Sequence, residues 1–266
     1  MVTVSREIDP PSKTLFVSEF GRVFGSLSNF VLGYPALRFA PKGDGHPVLV
    51  LPGFLAGDAT TLPLRTFLKG RGYNAYGWDL GINYGRGIDP DHIIPSDSKV
   101  LARVRQLHEQ TGRKVTLIGW SLGGIYAREI ARITPKSVRM VITLASPFRG
   151  EAKATNIWRT FERISGKELD ALPESLYRMV QKSPPVPTTA IYSRTDGITA
   201  WETCIDDLDT CTECENIELE TSHLGIGFSP IALWAIADRL AQSEGEWRPF
   251  DRSGMRKHIY RNWLPL

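Results

Sequence analysis

Short runs of consecutive aliphatic and β-branched residues alternate along this chain with stretches whose apolar positions recur every three or four residues. The runs predict strands buried on both faces at Val48 to Leu51, Tyr73 to Leu80, Lys114 to Gly119, Val138 to Leu144, Thr188 to Tyr192 and Ile217 to Leu219. Helical spacing fills the gaps. It is present from Leu62 to Gly70, at Val100, Val104 and Leu107 behind a cap at Ser96 or Asp97, and at Leu122, Ile125, Tyr126, Ile130 and Ile133. A closing helix is expected from Ser229-Pro230 through Leu240, with Ser229 as cap and Pro230 in the first turn. Strands alternating with helices predict right-handed crossovers. The fold class is therefore α/β, a mostly parallel sheet with helices on both faces.

Two segments break the rhythm. Between Lys13 and Gly33, the residues Phe16, Phe20, Val23, Phe24, Leu27, Phe30 and Val31 share one helical face, which is expected to pack on the core. A membrane-surface or substrate-access helix is the rival, and a polar face without strong basic character counts against the membrane reading. Between residues 148 and 187, Trp158, Phe161, Leu172, Leu176 and Met179 repeat at helical spacing before the Pro184 to Pro187 boundary. Its position predicts a helical cap inserted over the carboxyl edge of the sheet. Residues 1–12 are expected to be a flexible tail, residues 1–46 tail plus Phe-rich helix, and residues 1–266 a single domain.

Composition narrows the classes of function. The chain is 42% hydrophobic, enough for one sizeable core, and its 32 basic and 29 acidic residues leave a net charge of +3. No nucleic-acid surface is expected. Arg248, Arg252, Arg256, Lys257 and Arg261 are expected to form a solvated basic tail with local pairing. No signal-peptide pattern and no membrane-length apolar run occurs, so a soluble, cytoplasmic protein is expected. Cys204, Cys211 and Cys214 cluster, and Cys211 with Cys214 fits a disulfide, half of a metal site or two free thiols. No cofactor and no metal is called for, and Asp206, Asp207 and Asp209 nearby are expected to be solvated.

The candidate chemistry centres on Gly119-Trp120-Ser121-Leu122-Gly123. A shuffled chain of this composition would hold about 0.14 copies of G-x-S-x-G, so the context has to carry the reading. Here the serine stands where a buried strand ends and a helix begins, the sharp turn that exposes a nucleophilic hydroxyl above a sheet edge. Serine needs a histidine base, and the base needs an orienting carboxylate. His46 precedes a strand at the opposite sheet end, His108 lies in a crossover helix, His258 in the basic tail and His92 in a long loop. His223 follows the last strand, over the same edge as Ser121. Asp196, in the loop after the preceding strand, completes the order Ser121, Asp196, His223. An Asp-Gly turn residue is the bland alternative for Asp196. Oxyanion donors are expected at the N–H groups of Leu122 and Phe54.

On G-W-S-L-G-G, the P-G-F loop, T-D-G and S-H-L, the segment from Pro47 to Gln242 resembles the α/β-hydrolase superfamily, more narrowly its small bacterial lipase and carboxylesterase-like members. The resemblance implies Ser121 as nucleophile, His223 as base, Asp196 as its orienter and the segment from Phe148 to Pro187 as a cap over an acyl pocket. Two features depart from it. Pro52-Gly53 replaces the His-Gly that many lipases carry, and the Phe-rich helix takes the place of antiparallel leading strands.

The expected reaction is hydrolysis of a carboxylic ester, small-molecule or lipid, through an acyl-enzyme. Leu55, Trp120, Phe148, Ile198 and Leu224 are the candidate substrate contacts. Thioester hydrolysis or acyl transfer by the same triad is the nearest rival. A non-catalytic ligand-binding protein on the same fold is the rival from another class, and the intact Ser, Asp and His set speaks against it. Membrane contact has no support in the sequence, and nothing fixes an oligomeric state.

Overall fold

A computed structural model of the chain describes residues 8–88 and 92–260. The first seven residues of the expected tail, and Arg261, lie outside the described residues. Helix α1 (Lys13–Leu37) leads into β1 (Pro47–Leu51), α2 (Asp58–Gly70), β2 (Asn74–Gly77), α3 (Lys99–Thr111), β3 (Val115–Trp120), α4 (Leu122–Ile133) and β4 (Val138–Leu144). Helices α5 (Trp158–Ser165) and α6 (Glu174–Gln181) follow, then β5 (Thr188–Tyr192), β6 (Cys214–Glu218) and α7 (Pro230–Leu240). The six strands form one sheet in the order β2-β1-β3-β4-β5-β6, every neighbouring pair parallel.

Strand alternation divides the core in two. Val48 and Val50 meet α2 and α7 on one face, while Leu49 and Leu51 meet α3 and α4 on the other. Both faces are covered, so the strands read as continuous apolar runs rather than alternating ones. Element ends differ from expectation for local reasons. Strand β2 stops at Gly77 because the next two amides, Trp78 and Asp79, donate to the Asp58 carboxylate at 3.0 Å instead of continuing the ladder. The cap of α3 is Ser98, accepting from Leu101 N–H, not Ser96 or Asp97. Ser229 precedes α7 without a side-chain cap, so Pro230 in the first turn sets that start.

Helix α1 forms as expected, but its apolar stripe does not pack as expected. Phe20 is 62% and Phe24 73% exposed, with Leu27 and Val31 also exposed, while Phe30 does reach the core. The inward face instead carries Leu15, Glu19, Arg22 and Ser26, because what it meets is loop backbone rather than apolar side chains. No described helix is long and apolar enough to cross a membrane.

Two further expectations need correction, and the cysteine alternatives are resolved. Asp206 is buried, not solvated: the equally buried Arg128 of α4 holds both of its oxygens at 2.8 Å. The Arg128 guanidinium also lies 3.6 Å from the centroid of the Phe148 ring and donates to the carbonyls of Gln181 and Lys182 at the end of α6. One cation thus ties the end of α6 to α4, the helix that begins just after Ser121. The expected basic tail folds back on the domain: Phe250 and Tyr260 are buried, Arg252 donates to the Asn216 carbonyl, and Arg256 pairs with Asp238 at 3.1 Å. Of the cysteines, Cys211 and Cys214 form a disulfide, and Cys204 is a buried free thiol.

At the amino edge of the sheet, His46 is fully buried between Asp44 and Thr116. Burial lowers its pKa to about 4, the charge of Arg139 adding to the effect and Asp44 opposing it. An unfolded chain takes up this proton near pH 6.5, the folded one only near 4. The unfolded state therefore binds more protons in that window, and stability is lost as pH falls through it, by about 3 kcal/mol in all. Urea unfolding between pH 7 and pH 4 should show this decline, and His46→Gln should remove it. Equal slopes in both proteins would refute the assignment.

Candidate active site

Ser121 joins β3 to α4 with φ of 52° and ψ of −121°, a strained conformation for a residue with a side chain. Close approach on either side permits the turn. A Cβ on Gly119 would lie 2.3 Å from the Gly123 carbonyl oxygen, and one on Gly123 would lie 2.4 Å from that of Leu51. Both glycines of the motif are therefore required by packing, and the Ser121 amide is anchored on the Leu144 carbonyl at 2.8 Å.

The loops after β5 and β6 bring Asp196 and His223 together. Asp196 Oδ2 lies 2.7 Å from His223 Nδ1, and both residues are buried. The other oxygen, Oδ1, accepts the N–H groups of Ile198 and Thr199, each at 2.8 Å. Burial by itself would lower the pKa of His223; the Asp196 charge and hydrogen bond, together with the Glu19 charge, outweigh it and raise the value. Trp120 ties this loop to the elbow, its indole N–H donating to the His223 carbonyl at 3.1 Å. Ser121 Oγ makes no hydrogen bond to His223 among the described residues; such contacts commonly tighten only when substrate is bound.

The loop after β1 lies directly against the serine, since a Cβ on Gly53 would stand 3.2 Å from Ser121 Cβ. The Leu55 N–H is engaged by the Asn83 carbonyl at 2.7 Å, and Asn83 Nδ2 donates to the Pro52 carbonyl at 3.0 Å. No hydrogen bond occupies the N–H groups of Phe54 or Leu122 among the described residues. The Leu122 amide also sits at the positive end of α4.

Ser121 and Leu122 line a cavity with almost wholly apolar walls, among them Phe54, Ile93, Ile125, Phe148, Leu172 and Val180. The last two come from the segment between α5 and α6 and from α6 itself. Of the expected substrate contacts, Phe148 lines this cavity and four do not. Trp120 packs into the core on the α7 side of the sheet. Leu55 is turned to solvent. Ile198 is buried beside Asp196, and Leu224 is held by its N–H on Glu19. Each is near the site in sequence, but strand and loop geometry sends its side chain elsewhere.

Glu19, Asn83 and Thr199 are site residues that the motif reading did not find. Thr199 Oγ lies 3.3 Å from His223 Nδ1. Asn83 left no signal in its Gly-rich loop. Glu19 did leave one, as the sole acidic residue of the 25-residue helix α1.

Comparison with known proteins agrees with this architecture. A family model for the alpha/beta hydrolase family matches residues 48–258. Human serine hydrolase BPHL is 32% identical over 118 residues, which are 42% of this chain and 40% of that protein. A pimeloyl-[acyl-carrier protein] methyl ester esterase from Photobacterium profundum is 29% identical over 127 residues, 47% of this chain and 45% of that one. The chain thus matches less than half the length of either curated relative. Among solved structures, Aspergillus fumigatus lipase B superimposes with a TM-score of 0.54 at 20% identity, covering 76% of this chain and 54% of that one. Paleococcus ferrophilus monoacylglycerol lipase gives 0.52 at 16% identity, covering 74% and 96%. Likeness at these identities speaks to the fold. With its parallel six-stranded sheet and a family match spanning most of its length, the chain belongs to the alpha/beta hydrolase family.

Proposed function

We propose that this protein hydrolyses carboxylic esters with an apolar acyl group, through an acyl-enzyme on Ser121. The observation that carries the reading is the buried Asp196–His223 pair, 2.7 Å apart at the sheet edge where the strained Ser121 turn opens into an apolar cavity. In the first half-reaction Ser121 Oγ attacks the ester carbonyl and its proton passes to His223 Nε2. The N–H groups of Phe54 and Leu122 hold the oxyanion, and collapse expels the alcohol, which takes the proton from His223. Water then attacks the acyl carbon with His223 as base, and the carboxylic acid leaves Ser121. Asp196 keeps the imidazole in the tautomer that presents a lone pair on Nε2, and its charge stabilises the imidazolium formed in each half.

The curated relatives support this reading, one named as a serine hydrolase and one as a methyl ester esterase. The apolar walls favour an uncharged acyl chain. A fluorophosphonate probe should label wild-type protein once, at Ser121, and p-nitrophenyl butyrate should protect against labelling. Folded wild-type protein that neither labels nor hydrolyses the ester would sink the proposal.

A further inference from the structure

Helix α1 reaches the proposed site from behind, and the contact is made by main chain and one carboxylate. Glu19 is 0% exposed. Its Oε1 accepts the N–H of Gly197 at 2.8 Å and that of His223 at 3.0 Å, and its Oε2 accepts the N–H of Leu224 at 3.2 Å. One turn further on, Arg22 lies 3.6 Å from the same carboxylate and donates to the carbonyl and hydroxyl of Thr195, the latter at 2.8 Å. The loop bearing Asp196 and the loop bearing His223 are thus held by adjacent turns of one helix.

Two glycines show how close the approach is. A Cβ on Gly197 would lie 2.3 Å from the Leu15 carbonyl oxygen, and one on Gly225 would lie 2.3 Å from Ser26 Oγ. Neither loop could carry a side chain there without pushing α1 away. Burying a carboxylate is costly unless its lone pairs are satisfied, and these three amides and one guanidinium do so. A helix docked only for packing would present an apolar residue at this position. Here Phe20, Phe24, Leu27 and Val31 of its apolar stripe face outward.

We propose that Glu19 is a positioning residue for the base, its carboxylate fixing the main chain of Gly197, His223 and Leu224 so that His223 stays aligned between Asp196 and Ser121. This rests on the reading of Ser121, Asp196 and His223 as a catalytic set. Glu19 acts in two ways: through geometry, by holding both loops to one rigid helix, and through charge, since a second negative group beside His223 favours the imidazolium. Among the described residues, the charged groups acting on the ring are Asp196 from the loop after β5 and Glu19 from α1, whose carboxylate in turn lies 3.6 Å from Arg22. The nearby Cys204 thiol is kept protonated, by burial first and the Asp196 charge second.

The test compares Glu19→Gln and Glu19→Asp with wild type on p-nitrophenyl butyrate across pH, with rates normalised to sites counted by fluorophosphonate titration. Glu19→Gln removes the charge and, with its carbonyl oxygen kept on the Gly197 and His223 amides, turns an NH2 toward the Leu224 N–H, which needs an acceptor. Its kcat should fall about 10- to 100-fold, the cost of a misplacement near 1 Å, with KM within about twofold. Its acidic limb of kcat/KM should also move to lower pH, because losing a nearby negative charge lowers the pKa of the base. Glu19→Asp keeps the charge and shortens the reach: a smaller fall in kcat is expected, with the limb in place. A folded Glu19→Gln protein with wild-type kcat and limb per labelled site would overturn the proposal, as would a rate loss wholly accounted for by fewer labelled sites. Should Glu19→Gln not fold, Glu19→Asp decides: wild-type kcat per site refutes positioning, and a reduced kcat at unchanged KM supports it. Failure of wild type to label at all would sink the hydrolase reading instead.

Discussion

Replacing Ser121 with alanine is expected to lower kcat on a carboxylic ester roughly 10^4- to 10^6-fold, while the melting temperature stays within about 2 °C of wild type. The first half follows from chemistry. With Oγ gone no acyl-enzyme forms, and what remains is binding plus whatever the Phe54 and Leu122 amides do for direct attack by water. The second half follows from structure. Ser121 Oγ has no hydrogen-bond partner among the described residues, so its removal orphans nothing. Alanine also carries a Cβ, so the backbone strain at φ of 52° is the same in both proteins. Activity and stability therefore separate, which a defect of folding would not allow. Steady-state kinetics, thermal melts and fluorophosphonate labelling read the outcome. A loss of less than about tenfold would show that the hydrolysis does not pass through this hydroxyl.

Those parts of the site that depend on strand order could be read from the chain, because strand order is written locally. A buried run ending at Gly119, a helical pattern from Leu122 and two later runs at Thr188 and Ile217 suffice to put Ser121, Asp196 and His223 at one edge of a parallel sheet. The runs are legible because both faces of the sheet are covered. Side-chain direction at the edge is another matter. Trp120 and Ser121 are adjacent, yet the indole enters the α7 side of the core while the serine faces the cavity.

Contacts between residues far apart in sequence left little trace. The Arg128–Asp206 pair joins positions 78 residues apart, and nothing local marks either as buried. Helix α1 misleads for a related reason. Hydrophobic periodicity finds the inward face only when the surface opposite is apolar. Here the opposite surface is a row of amide donors, so the face turned inward is the one carrying Glu19 and Arg22. A lone acid in an otherwise uncharged stretch from Thr14 to Gly21 was the available signal.

The environment of Asp196 makes its amide variant the sharpest test of the base. Asp196→Asn is nearly isosteric, and the two amides at 2.8 Å from Oδ1 dictate how the new side chain must lie. Its carbonyl oxygen must stay with the N–H groups of Ile198 and Thr199, since turning NH2 toward them would set donors against donors and leave a buried group unpaired. The NH2 then faces His223 Nδ1, where a hydrogen bond requires Nδ1 to accept. That choice moves the imidazole proton to Nε2, and the base can no longer take the proton of Ser121. Loss of the carboxylate charge also leaves burial with less to oppose it, so imidazolium formation becomes harder at every step. The expected result is a fall in kcat of about 10^4-fold at neutral pH, with KM within about threefold and the fold retained. Asp196→Ala should behave differently, losing a comparable amount of activity and, in addition, stability, because the Ile198 and Thr199 amides are left unsatisfied. Nitrogen-15 spectra of His223 would locate the proton directly. Finding it still on Nδ1 in Asp196→Asn, with turnover near wild type, would mean that Asp196 is a turn residue and that the base is oriented by another group.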